Sequence, residues 1–264
     1  MANQGMMRRV VAAVVVVAWV AGLIALWRRR TDVPRAERLA RGALRLGPAT
    51  YFYTVAQGGA PVGIASSAID TTAGGFREIG TARGRVVIYG DSQTVEASER
   101  AFLSRRFVLD SFSFSLGGDQ GPLRIRGAPR GTGAVLVPSL APIALMLSGP
   151  HRVGRSEDYW VYSPLSQQVE RVTLRIAAES LFHVTDSAAF DPSRNTWIPA
   201  HEDTVRAWSV TTPVHSFTAW VDAQGRVVAA SEPGGLTLTR TAYEIAALNV
   251  PRRRSPKPGK PIPR

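Results

Sequence analysis

Phe107-Val108-Leu109-Asp110-Ser111-Phe112-Ser113-Phe114-Ser115-Leu116 places Phe112, Phe114 and Leu116 on one side of an extended chain and Ser111, Ser113 and Ser115 on the other. A period of two with one greasy and one hydroxylated face is the mark of a strand in an antiparallel sheet, wet on one side and buried on the other. Gly117-Gly118-Asp119 then turns the chain toward a further short strand, Leu123 to Arg126.

The same pattern extends outward in both directions. Upstream, Tyr51 to Val55 and Pro61 to Asp70 flank Gln57-Gly58-Gly59, a hairpin signal, and short strands are expected at Phe76–Ile79, Arg85–Tyr89 and Thr94–Ala97. Downstream, strands are expected at Tyr159–Tyr162, Val169–Ile176, Val205–Val210, Ser216–Asp222, Val227–Ala229 and Leu236–Thr239. Asp186–Thr204, with Asp191-Pro192-Ser193 inside it, reads as a polar, turn-rich passage, and Arg240–Leu248 as a short closing helix. Ala134–Leu147, AVLVPSLAPIALML, is broken by Pro138 and Pro142 and reads as a strand followed by a short apolar helix capped by Ser139. Core packing is the default for that helix. The functional reading makes Leu140, Ile143, Leu145, Met146 and Leu147 the wall of an apolar groove. The expected fold is mainly β: a curved antiparallel sheet, half-barrel-like, with a few short helices.

A different object precedes the sheet. Val10–Trp27, VVAAVVVVAWVAGLIALW, is eighteen residues without a charge, bracketed by Arg8-Arg9 and Arg28-Arg29-Arg30. As a helix it spans about 27 Å, close to the roughly 30 Å hydrocarbon core of a bilayer. Leu26-Trp27 followed by arginines offers no small-residue cleavage site, so an uncleaved anchor is expected rather than a signal peptide. The organisation is then a short tail over 1–9, a transmembrane helix over 10–27, a basic juxtamembrane amphipathic segment over 28–48, a β-rich domain over 49–249 and a disordered, proline-rich basic tail over 250–264. In the juxtamembrane segment Leu39, Ala43 and Leu46 form one stripe, expected to lie along the membrane until Gly47-Pro48 stops the helix. The literal positive-inside count favours a cytoplasmic domain. The export role of an amino-terminal anchor favours the opposite, and a single-pass protein of the inner membrane with its large domain extracytoplasmic is the expectation.

The net charge of +12 is not spread over the domain. Arg8-Arg9, the flank from Arg28 to Arg45 and the tail from Pro251 together carry +13, leaving the body at −1. A nucleic-acid partner is therefore not expected; the basic flank suits anionic headgroups. The chain has no cysteine, which excludes disulfides, thiolate metal sites and cysteine nucleophiles.

The opening YTVAQGGAPVGIASSAID, the central FVLDSFSFSLGG and the closing FTAWVDAQGRVVAASEPGGLTLTRTAYEIA resemble the β-rich envelope domains found ahead of bacterial transglutaminase-like domains. Those domains are similar in architecture to lipoprotein-carrier half-barrels. The resemblance implies a curved sheet partly covered by helices. It brings no peptidase chemistry, since neither a catalytic domain nor a cysteine follows.

Arg85–Thr94, RVVIYGDSQT, resembles the opening block of SGNH-type esterases and would make Ser92 the nucleophile. No Gly-x-Asn-Asp phrase follows, and no aspartate has a histidine three residues later, so Gly-Asp-Ser reads first as a turn. His183 with Asp186, and His201 with Glu202 and Asp203, are metal candidates without paired-histidine spacing; His151 and His215 stand apart. No cofactor and no metal are expected. The leading function is a non-catalytic envelope protein binding an apolar ligand, a lipid or a partner protein. The alternatives are an esterase using Ser92 and a scaffold acting through the basic tail.

Overall fold

The computed structural model describes residues 35–88, 90–118, 121–128, 135–163, 167–212, 217–232 and 234–248. The expected spanning helix Val10–Trp27, the start of the basic flank and the tail 250–264 lie outside them. Among the described residues no helix is long and apolar enough to cross a membrane.

The architecture is mainly β. Strands β1 (Ala49–Gln57), β2 (Ala60–Thr72), β3 (Gly75–Ile88), β4 (Asp91–Ser104), β5 (Leu109–Gly118) and β6 (Leu123–Gly127) form one wing. The other holds β7 (Val135–Leu136), β8 (Ser156–Ser163), β9 (Gln168–Asp191), β10 (Thr196–Thr211), β11 (Thr218–Asp222), β12 (Val227–Ser231) and β13 (Leu236–Thr241). They make one sheet of thirteen strands in the order β6-β5-β4-β3-β2-β1-β13-β12-β11-β10-β9-β8-β7, antiparallel except for the short β7–β8 pair. The first and last strands meet at its centre, Tyr53 opposite Arg240.

This order forces curvature. Laid flat at about 4.8 Å per strand the sheet would be roughly 58 Å wide. Yet β6 and β7, its two opposite edges, are consecutive in the chain, and from Gly127 to Val135 a chain reaches at most about 28 Å. The sheet must roll until its edges approach. Phe112 of β5 and Tyr162 of β8 accordingly lie with ring centroids 4.4 Å apart across the gap.

What the roll encloses is helix α2 (Ala141–Ser148), entered through a 3-10 turn at Pro138–Leu140. It is apolar all round, as a helix buried on every side must be, and every residue but Leu147 is buried. The residue in its N-cap position is Leu140, which makes no side-chain cap. Ser139 is thus not the cap expected from the sequence: its hydroxyl donates instead to Glu99 Oε1 of β4, 3.2 Å away. At the other end Arg38 Nε donates to the Ser148 carbonyl at 2.6 Å, and Arg155 donates to the Ser148 hydroxyl and to Glu157. Arg38 thus takes up a carbonyl that the helix end leaves unsatisfied.

Helix α1 (Arg35–Leu46) carries the expected stripe, but Leu39, Ala43 and Leu46 join the core rather than lying on a bilayer. Gly42 lets it approach α2, since a Cβ there would stand 2.8 Å from Leu147 Cβ. Four further features differ from the sequence reading. Strand β3 runs unbroken where two short strands were expected, and Phe107 sits in the β4–β5 turn with φ 60°, fully buried. The passage Asp186–Thr204 is mostly a long two-stranded arm of β9 and β10, paired from Thr196 opposite Asp191 with the register shifting around His201. The closing helix α3 begins only at Tyr243 and ends at Leu248, because Arg240 still belongs to β13.

Candidate functional site

The alternation that buries Phe112 turns the opposite face of the first wing to solvent. Register fixes which side chains share that face. Phe52, Ser66, Thr81, Ser98, Ser115 and Arg124 form one row across six strands, and Ile79, Arg100, Ser113 and Arg126 a second beside it. In the first row the hydroxyls pair across strands, Ser66 with Thr81 at 2.7 Å and Ser98 with Ser115 at 2.8 Å. At one end α3 leans over β1 and β2, and Tyr243 meets Phe52 edge-on, centroids 4.9 Å apart.

Two hollows result. One of about 500 Å³ is lined by Phe52, Ser66, Thr81, Ser98, Tyr243 and Ala247 among others. The second, about 430 Å³, shares Thr81, Ser98 and Ser115 with the first and adds Arg100, Ser113, Arg124 and Arg126. They form one trough running from aromatic to hydroxyl to guanidinium. None of these three arginines makes an ion pair among the described residues. Two carboxylates line the trough: Glu96, opposite Arg83 in the first hollow, and Glu99 in the second, held from the interior side by Ser139.

Beneath the trough, on the inner face, Glu99 has a second carboxyl for company. Glu78 is 2% exposed, and its Oε2 has no hydrogen-bond partner among the described residues. Burial, with Glu99 nearby, pushes the Glu78 carboxyl up to about 9, so it is protonated at neutral pH; burial also raises that of Glu99. Sequence reading missed both groups. The signal was there: Glu78 stands in the apolar parity of Phe76-x-Glu78-x-Gly80, and Glu99 in that of Ala97-x-Glu99-x-Ala101-x-Leu103.

The residues singled out from sequence fall elsewhere. Leu140, Ile143, Leu145 and Met146 are at most 5% exposed in the core, and Leu147 packs against it. Ser92 is exposed on the β3–β4 hairpin opposite Val87, where Gly90 turns the chain at φ 89°. The described histidines lie in the other wing or beside α2. His151 contacts the Met146 carbonyl at 3.1 Å and the Trp208 ring, His183 contacts Thr204, and His201 contacts Asp203 at 2.9 Å. His215 is outside the described residues. Ser92 thus has no histidine beside it among them, and no group of three or more metal-ligating side chains comes together there.

No family model and no curated protein matches this chain. Among solved structures, a β-barrel-like protein of domain of unknown function DUF1849 from Brucella abortus is similar over 75% of this chain and 96% of its own, with 10% identity and a TM-score of 0.46. A DUF1089 family protein from Pseudomonas aeruginosa is similar over 65% and 90%, with 11% identity and a TM-score of 0.37.

Proposed function

We propose that this chain is a non-catalytic, membrane-tethered binding module that holds its ligand on the outer face of the first wing and not inside the barrel. The observation that carries this reading is the division of space. Helix α2 fills the interior with the protein's own side chains, while the outer face offers about 500 Å³ and about 430 Å³ of contiguous hollow lined by hydroxyls and by arginines without an ion pair among the described residues. An apolar ligand inside would have to displace a helix in which Leu140, Ala144, Leu145 and Met146 are at most 1% exposed. The tether rests on the uncharged run Val10–Trp27 and its arginine flanks, which suit a single-pass anchor with the sheet in the envelope.

Native mass spectrometry of the full chain, extracted from membranes in mild detergent, tests the reading against Ser98→Trp, which fills the middle of the trough, and Leu181→Trp on the exposed arm. A co-purifying mass carried by the wild type and Leu181→Trp but lost from Ser98→Trp is expected. Equal occupancy of Ser98→Trp would overturn the outer-face site.

A further inference from the structure

Building on that outer-face reading, we infer that the trough takes an anionic glycan, laid across the strands with its acidic groups among Arg100, Arg124 and Arg126. The argument begins with charge. Ser113 lies between Arg100 and Arg126, its cross-strand partners on either side. Two forked donors therefore stand roughly 10 Å apart at the backbone with a hydroxyl between them. Arg124 is two residues from Arg126 on the same face of β6, so three cations crowd one hollow, and none of them forms an ion pair with Glu99, the carboxylate that lines it, or with any other described residue. A domain body of net charge near −1 has placed them together against their mutual repulsion. A carboxylate or phosphate ester held bidentately removes that repulsion.

The rest of the trough selects what carries the anion. Between the arginines and α3 the floor is the hydroxyl row Ser66, Thr81, Ser98 and Ser115, whose members each give and accept hydrogen bonds as a sugar hydroxyl does. Its far end is the Phe52–Tyr243 pair, with Tyr243 53% exposed and offering a ring to the C–H face of a pyranose. The row crosses six strands, about 24 Å, enough for several units of a linear polymer. A lipid surface would find little here to insert beside the arginines: of the two large apolar side chains in that hollow, Ile79 is half-buried and Phe114 packs against the core. A nucleic acid would call for a longer basic stripe and more stacking rings than the face provides.

Calorimetric titration of the full chain in detergent tests the inference with four probes: tetragalacturonate, neutral maltotetraose, inorganic phosphate and phosphatidylglycerol vesicles. The expected result is binding of tetragalacturonate and none of maltotetraose, with affinity for the former cut at least tenfold in Arg100→Ser/Arg126→Ser. Tyr243→Ala weakens tetragalacturonate several-fold and leaves the weak response to phosphate unchanged. Equal binding of the neutral sugar, or binding indifferent to the arginines, overturns the inference; so does vesicle capture without tetragalacturonate binding, which assigns the face to a membrane. If the native ligand is lost from Ser98→Trp while no acidic sugar binds, the glycan class falls and the outer-face site stands. If that ligand is retained by Ser98→Trp, both fall.

Discussion

Glu78 keeps a proton that the unfolded chain gives up near pH 4.5, because ionising it would leave a charge beside Glu99 in a place water does not reach. The sign of the consequence follows. A carboxyl raised in the folded state contributes stability fully present below its unfolded value and lost as pH rises through its folded value. Between about 4.5 and about 9 the folded chain binds more protons than the unfolded one, so stability falls with pH by up to about 1.4 kcal/mol per unit. Glu78→Gln keeps the shape without the titration. Urea denaturation at pH 5, 7 and 9 is expected to show wild-type stability declining more steeply than that of the variant, whose advantage grows to about 2 kcal/mol or more at pH 9. Parallel pH profiles would contradict the assignment. A buried cation depends on its partner instead. Arg240, 4% exposed, is held bidentately by Asp186 and lies over the Tyr51 ring. Asp186→Ala strands that guanidinium, and a loss of about 2 kcal/mol in the same assay is expected, moderated by the partial exposure of Asp186.

At the scale of elements, the α1–α2 crossing is the contact most easily broken by one methyl. Glycine inside a helix ordinarily costs about 0.5–1 kcal/mol relative to alanine, so Gly42 is explained by proximity. Its Cα faces Leu147 so closely that an added Cβ would meet Leu147 Cβ at 2.8 Å. Gly42→Ala should therefore destabilise by about 1–3 kcal/mol instead of stabilising. A rise in melting temperature would show that the crossing is loose. The elements also differ in how much of them the sequence reveals. Strand β5 could be read because its two faces differ in chemistry, so hydropathy alternates: Phe112 is 4% exposed and Phe114 packs against the core, while the serines stand half-buried on the opposite face. The β9–β10 arm could not. Its far half stands clear of the main sheet with most residues exposed on both faces, which erases the alternation and leaves a polar stretch resembling a loop. Within it Asp191, which reads as a turn residue, does make the turn: its carboxylate accepts from the Ser193 amide and hydroxyl, which lowers its pKa. The stripe on α1 was visible in sequence, but what it packs against was not, because a period of 3.6 shows only that a face is buried. The trough was illegible for a related reason. Its arginines and hydroxyls are ordinary surface residues strand by strand, and only the register gathers them onto one face.

The whole molecule is held together by a long-range closure. Each wing is a meander of neighbours; the second has a small cluster of its own at Val184, Ala207 and Val228, but the main core is shared. Phe76, Leu103, Phe112 and Ile125 of the first wing pack in one cluster with Leu140, Leu145 and Met146 around α2, and with Leu174, Ile176 and Val221 of the second. The wings join at β1–β13, a pairing between the two ends of the domain, and again through Ser139 to Glu99. Non-local pairing of this kind is costly to initiate, because loop entropy is lost before contacts compensate for it. Folding should then be slow and all-or-none, with no separately stable wing. A fragment ending at residue 128 contains six consecutive strands, yet it would leave the inner face of its sheet uncovered, since α2 is encoded downstream. Expressed alone, fragment 35–128 is expected to lack near-ultraviolet dichroism and to aggregate, and mixing it during refolding with fragment 135–248 should restore the signal. A fragment 35–128 that unfolds cooperatively by itself would mean that the first wing carries its own core and that α2 is a lid added to a finished sheet.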